Sequence, residues 1–147
     1  MSQSITASNV AVPFTTPLLQ DSNYIVSASW PSPGTSTTTP SMNFPNLCWP
    51  TVGKFVIQLS TTAINGTSGS QNYTASLQDS ADNVTFTNVA AFASNLLTTQ
   101  DSSGTASAAS VQVELTPTAK QYLRAALGSA PQNTLAPTGS VTLTALF

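Results

Sequence analysis

The side chains of this chain that could do chemistry are few enough to name. The bases are Lys54, Lys120 and Arg124, the acids Asp21, Asp79, Asp82, Asp101 and Glu114, and the thiol Cys48; there is no histidine. General acid–base catalysis draws on clusters of His, Asp, Glu, Lys, Tyr or Cys. Here the carboxylates are scattered along loops and no pair is brought together by spacing. Zinc and other transition-metal sites lean on His and Cys, of which the chain has one thiol in all. Nothing near Cys48 would lower its pKa, so it reads as a small buried hydrophobe. Asp79, Asp82 and Asn83 could suggest calcium, but a Ca²⁺ site wants six or more oxygens, several of them acidic. A plain polar turn is the simpler reading. Each neutralised phosphate takes about one positive charge, so three bases against five acids, net charge −2, cannot line a nucleic-acid groove. The expectation is a chain with no catalytic residue, no cofactor, no metal and no nucleic-acid partner.

Charged residues make up 5% of the 147 positions, where about 25% is usual. Ser, Thr, Asn and Gln must therefore keep the surface wet. Hydroxyls and amides bind water without long-range repulsion, which suits molecules packed side by side in an assembly. A secreted β-protein with a neutral surface would fit the same composition. The start, MSQSITASNVAV, lacks the basic residues and apolar run of a signal peptide. No stretch approaches the ~20 apolar residues of a membrane helix, so no membrane partner is expected. One cysteine cannot close an internal disulfide. The sequons at Asn65, Asn72 and Asn83 are what a Thr-rich chain makes by chance.

The length is that of one domain, which buries roughly two thirds of the surface its unfolded chain exposes. Residues 1–50 hold Pro13, Pro17, Pro31, Pro33, Pro40, Pro45 and Pro50. The run SWPSPGTSTTTP at 29–40 cannot be a helix or a central strand. Apolar residues punctuate this region, so it reads as an extended arm with anchor residues, with one possible strand at 23–29 (NYIVSAS). Residues 51–147 have the texture of strand and turn. KFVIQLS at 54–60 places Phe55, Ile57 and Leu59 on one face, and Asn65-Gly66 is a hairpin signal. NYTASLQDS at 72–80 alternates, Asp79–Asn83 turns, and Val84–Thr87 opens the next strand. VAAFASNLL at 89–97 suits strand or short helix. ASVQVELTP at 109–117, QYLRAAL at 121–127 and GSVTLTALF at 139–147 complete the series. Short β-branched strands of period two, with a turn every ~8–12 residues, predict an all-β protein: an antiparallel β-sandwich or jelly-roll-like barrel.

The order KFVIQLST, SLQDSADNVTFTNV, a strand ending in LTP, KQYLRAAL and PTGSVTLTALF resembles the capsid cement (decoration) proteins of tailed bacteriophages. The resemblance spans roughly residues 52–147 and leaves the proline-rich 1–50 unmatched. It implies a jelly-roll-like body on the outer surface of a virion, with the major capsid protein as partner and a dimer or trimer of the chain itself. Another virion β-module (tail, spike or coat domain) and a carbohydrate-binding β-sandwich are the rival readings. A genome-packaging coat protein would usually carry a basic inner arm, and residues 1–50 contain no Lys or Arg.

Seven residues are candidates for a protein interface. Tyr122 and Arg124 share one face of their strand, with Leu123 on the other. Arg124 could meet a partner carboxylate, or Asp79 or Asp82 within the chain, since its fork suits both. Trp30 and Trp49 flank the proline-rich run and suit an interface centre or the capped end of a sandwich. Phe14, Leu18 and Leu19 form an apolar cluster framed by Pro13 and Pro17, which would lose little entropy on docking.

Overall fold

A computed structural model describes residues 20–44, 56–64, 73–91, 107–115, 119–129 and 138–146. Among them are nine strands: β1 (Gln20–Ser29), β2 (Ser36–Thr38), β3 (Met42–Asn43), β4 (Val56–Thr61), β5 (Tyr73–Ser80), β6 (Thr87–Ala91), β7 (Ala109–Glu114), β8 (Tyr122–Ser129) and β9 (Ser140–Leu146). They form two sheets, ordered β1-β9-β4-β7 and β2-β8-β5-β6, with β3 also on β8. Every pairing is antiparallel. The all-β sandwich predicted from period-two alternation is the fold of this protein.

The topology has a simple generator. β2 and β3 pair with successive stretches of β8, opposite residues 126–128 and 122–123, so they act as one interrupted edge strand. Counted that way the strands pair first with last, second with second-last, and so inward to β5 with β6. This is one long antiparallel ribbon, closed at the β5–β6 turn and rolled up so that β9 meets β4 and β8 meets β5. A rolled ribbon of eight strands in two sheets is the jelly roll.

Pro40 explains the interruption of the edge strand. It has no N–H to give the ladder and is tolerated at an edge or irregularity. Beside it, Thr39 splices the gap. Its N–H donates to the Ala125 carbonyl at 3.0 Å, and its Oγ1 accepts the Ala125 N–H at 3.0 Å. Phe44 N–H then resumes the pairing with the Gln121 carbonyl at 3.0 Å. A hydroxyl thus stands where the ladder lacks a carbonyl, in a buried position where an unmet N–H would be costly.

The core lies between the sheets and follows the alternation. Ile57 and Leu59 of β4 face inward with Val141, Leu143 and Ala145 of β9, against Ala75 and Leu77 of β5 and Leu123, Ala125 and Leu127 of β8. Val26 and Ala28 of β1, with Val111 and Val113 of β7, flank them as partly buried neighbours. Burying each large aliphatic side chain stabilises by about 1.5–3 kcal/mol. Gly139 leads into β9 at φ +119°, a conformation closed to other residues, with its backbone against the Ala63 carbonyl oxygen.

Composition assigns residues 1–50 to an extended arm, and the structure corrects this for residues 20–44. β1 is a full edge strand of the first sheet, and β2 with β3 forms an edge of the second. The prolines mislead because Pro31, Pro33 and Pro40 fall between strands, where no ladder N–H is needed. The strand expected at 23–29 forms part of β1. Residues 1–19 and 45–50 lie outside the described residues, as do Phe55, the Asn65-Gly66 signal and the ambiguous 92–97.

Candidate functional site

Strand alternation places Tyr122 and Arg124 on the outer face of the second sheet while Leu123 is buried in the core. Gln78 of β5 lies directly opposite Arg124 in the register. Its Oε1 accepts the Arg124 Nε–H at 3.0 Å. Gln78 is itself held by Asn88 of β6, to whose Oδ1 it donates through Nε2 at 2.9 Å. The guanidinium carbon lies over the Phe86 ring, 3.6 Å from its centroid, a contact that Arg favours through cation–π attraction. Partial burial draws the Arg124 pKa down from its ordinary value, and no described carboxylate stands beside it to oppose this. Arg124 thus pairs with neither Asp79 nor Asp82, the two internal acids considered for it.

Both acids have other work. Asp79 is buried at the end of β5. It accepts Thr87 Oγ1–H at 2.8 Å and the Lys120 N–H at 3.2 Å, and pairs with Lys120 Nζ at 3.1 Å. Burial alone would raise its pKa, but the bonds from Thr87 and Lys120 outweigh it and hold the carboxyl below the usual value. Asp82 builds the turn. Its Oδ1 accepts the N–H groups of Val84 and Thr85 at 2.9 and 2.8 Å and the Ser80 hydroxyl at 2.8 Å. These bonds, with Thr85 and Val84 foremost, lower its pKa to about 2. Asn83 completes the turn at φ 59°, a left-handed conformation Asn tolerates. The two carboxylates therefore serve separate ties and do not converge on a common point. Among the described residues no group of three or more His, Cys, Asp or Glu could hold a metal ion.

This turn holds Val84 out into solvent at 80% exposure, the most exposed large hydrophobic of the described residues. Phe86, whose ring carries Arg124, follows two residues along. A guanidinium does not lose its proton near neutral pH, so the group can hold an anion but not shuttle a proton.

Trp30 is placed otherwise than an interface residue would be. It is 4% exposed, tilted against Tyr73 of the second sheet at 5.4 Å between centroids. Its Nε1–H donates to Thr61 Oγ1 of the first sheet at 3.1 Å. It closes one end of the sandwich, as Tyr24 stacked on Phe44 at 4.6 Å joins the sheets elsewhere. Large rings with a polar handle suit such seams, because the handle reaches a partner while the ring fills the gap. Phe14, Leu18, Leu19, Trp49 and Cys48 lie outside the described residues.

Gln78, Val84 and Phe86 went unsingled by sequence reasoning. The sequence carries the turn signal at Asp79–Asn83, but only the pairing of β5 with both β8 and β6 brings Phe86 beneath Arg124. The chain matches no family model, and no curated protein is similar to it.

Proposed function

We propose that this protein is a non-catalytic accessory subunit of a phage head, a cement or decoration protein that binds the outside of the shell and bridges major capsid subunits. The observation that carries the reading is a jelly roll whose exposed strand positions, apart from Val89 and Glu114, are hydroxyls and amides among the described residues. Ser36 and Thr38 of β2, Asn43 of β3, and Thr74 and Asn88 of β5 and β6 are exposed examples. Jelly rolls recur in capsids, but a fold hosts many functions, so the surface bears the weight. Copies with so few charges crowd together with little mutual repulsion.

Bridging works by multivalency. Two modest contacts in one molecule, or in a dimer or trimer of it, give an avidity neither has alone. A protein that binds only the assembled lattice stabilises it by mass action. The test is to add purified protein to heads that lack it, sediment them, and measure their resistance to heat or chelator. Saturable co-sedimentation with raised resistance is the expected result. A protein that ignores heads and binds glycans on an array is instead the carbohydrate-binding module, and the proposal fails.

A further inference from the structure

We propose that the β5–β6 end of the second sheet is the docking surface of this protein, and that its occupant is a protein surface carrying a carboxylate beside an apolar recess. This deepens the shell-binding reading and rests on it. Two independent features point there. The first is charge. Of the described bases, Lys120 is neutralised within the chain by Asp79 at 3.1 Å. Arg124 meets only the neutral Gln78 and the Phe86 ring among the described residues. Its Nε–H and one side of the guanidinium are engaged, which leaves the two terminal amino groups without an acceptor among the described residues. Their direction is fixed by the Phe86 contact and by the Gln78–Asn88 brace. A planar fork held in this way matches a carboxylate with two parallel hydrogen bonds.

The second feature is the apolar knob. Val84 is 80% exposed at the tip of a turn whose backbone is pinned by Asp82 and by the left-handed Asn83. A flexible loop would lose entropy on docking, whereas this one is already ordered. An apolar side chain held rigidly in water, two residues from the Phe86 ring that carries a braced cation, is the anchor-plus-charge pattern of interface centres. The occupant is accordingly acidic at one point and concave at another.

The test uses the full chain with heads stripped of it, and compares the wild type with Val84→Ser, Arg124→Gln, Arg124→Lys and, on the outer face of the first sheet, Gln112→Ala. Thermal melts of each variant establish that it folds. The expected result is a loss of affinity of about 10-fold or more for Val84→Ser and Arg124→Gln. Arg124→Lys should fall between Arg124→Gln and wild type, since it keeps the charge and loses the fork. Gln112→Ala should bind as wild type. Raising salt should narrow the gap between wild type and Arg124→Gln. Folded Val84→Ser and Arg124→Gln proteins that bind like wild type overturn this surface and leave shell binding intact. Wild type that does not bind heads overturns both.

Discussion

The splice at Thr39 gives a sharp test of how the interrupted edge strand is held. Replacing Thr39 by Val keeps the β-branched shape and its restricted χ1, and keeps the N–H bond to the Ala125 carbonyl at 3.0 Å. What disappears is the acceptor for the Ala125 N–H, also 3.0 Å away. Thr39 is 2% exposed and Ala125 fully buried, so water cannot easily take the hydroxyl's place. An orphaned buried donor costs about 1–3 kcal/mol. Exchanging a hydroxyl for a methyl returns up to about 0.8 kcal/mol of apolar burial. The net expectation is a destabilisation of about 0.2–2 kcal/mol, a fall of up to about 8 °C in Tm for a domain of this size. Thr39→Ser keeps the acceptor and should be the more stable of the two variants. Denaturant unfolding at unchanged m-value measures the difference, and hydrogen exchange at the Ala125 amide locates it. If Thr39→Val equals or exceeds Thr39→Ser in stability, with the Ala125 amide as protected as before, the hydroxyl does not carry the ladder across the gap.

Other expectations follow from the same geometry. Trp30→Phe should destabilise the isolated protein by about 1–3 kcal/mol through the lost bond to Thr61 and the lost packing, and should weaken the near-UV circular dichroism of the Trp30–Tyr73 pair. An unchanged melt would mean that Trp30 does not join the sheets. The pH profile should be flat through neutrality, because the chain has no histidine. The folded-state pKa values of Asp79 and Asp82 lie below the ordinary 3.8. Their contribution is therefore complete above that value and lost as pH falls through the folded values, for Asp82 about 2. Tyr73 is pushed the other way by burial, from 10.0 upward, so its contribution is complete below pH 10.0 and lost as pH rises above it. Denaturation followed across pH would contradict this if stability changed between about pH 5 and 8.

Much of the sandwich could be read from alternation because one-sided burial writes a period of two into the chain. Ile57 with Leu59, Tyr73 with Ala75 and Leu77, and Val141 with Leu143 and Ala145 all face the core as the pattern indicates. Elsewhere the pattern is silent. β2 is three residues of Ser and Thr, and its place depends on pairing with β8 far along the chain. Nothing in a Thr-rich run distinguishes Thr39, which is buried, from Thr38, which is exposed. Asp79 and Asp82 look alike in sequence, yet one ends a strand in the interior and the other shapes an exposed turn. For the candidate site, the shared face of Tyr122 and Arg124 was legible. The partners of Arg124 were not, because Gln78 and Phe86 reach it through tertiary register alone.

The rolled ribbon also constrains when the protein can come together. β9 is last in chain order yet sits inside its sheet, between β1 and β4. Until it has been synthesised, β1 and β4 have no common neighbour and their inner edges stay unsatisfied. The β5–β6 hairpin can form early, since Asp79 and Thr87 are close in sequence, and later pairs can zip outward from it at modest loop-closure cost. In the first sheet only the β4–β7 pair can form before β9, and β1 has no strand partner there until β9 arrives. A nascent chain halted before β9 would present open strand edges with little charge to keep copies apart, the kind of species prone to aggregate. Prompt emergence of β9 is therefore what shortens the exposure of those edges.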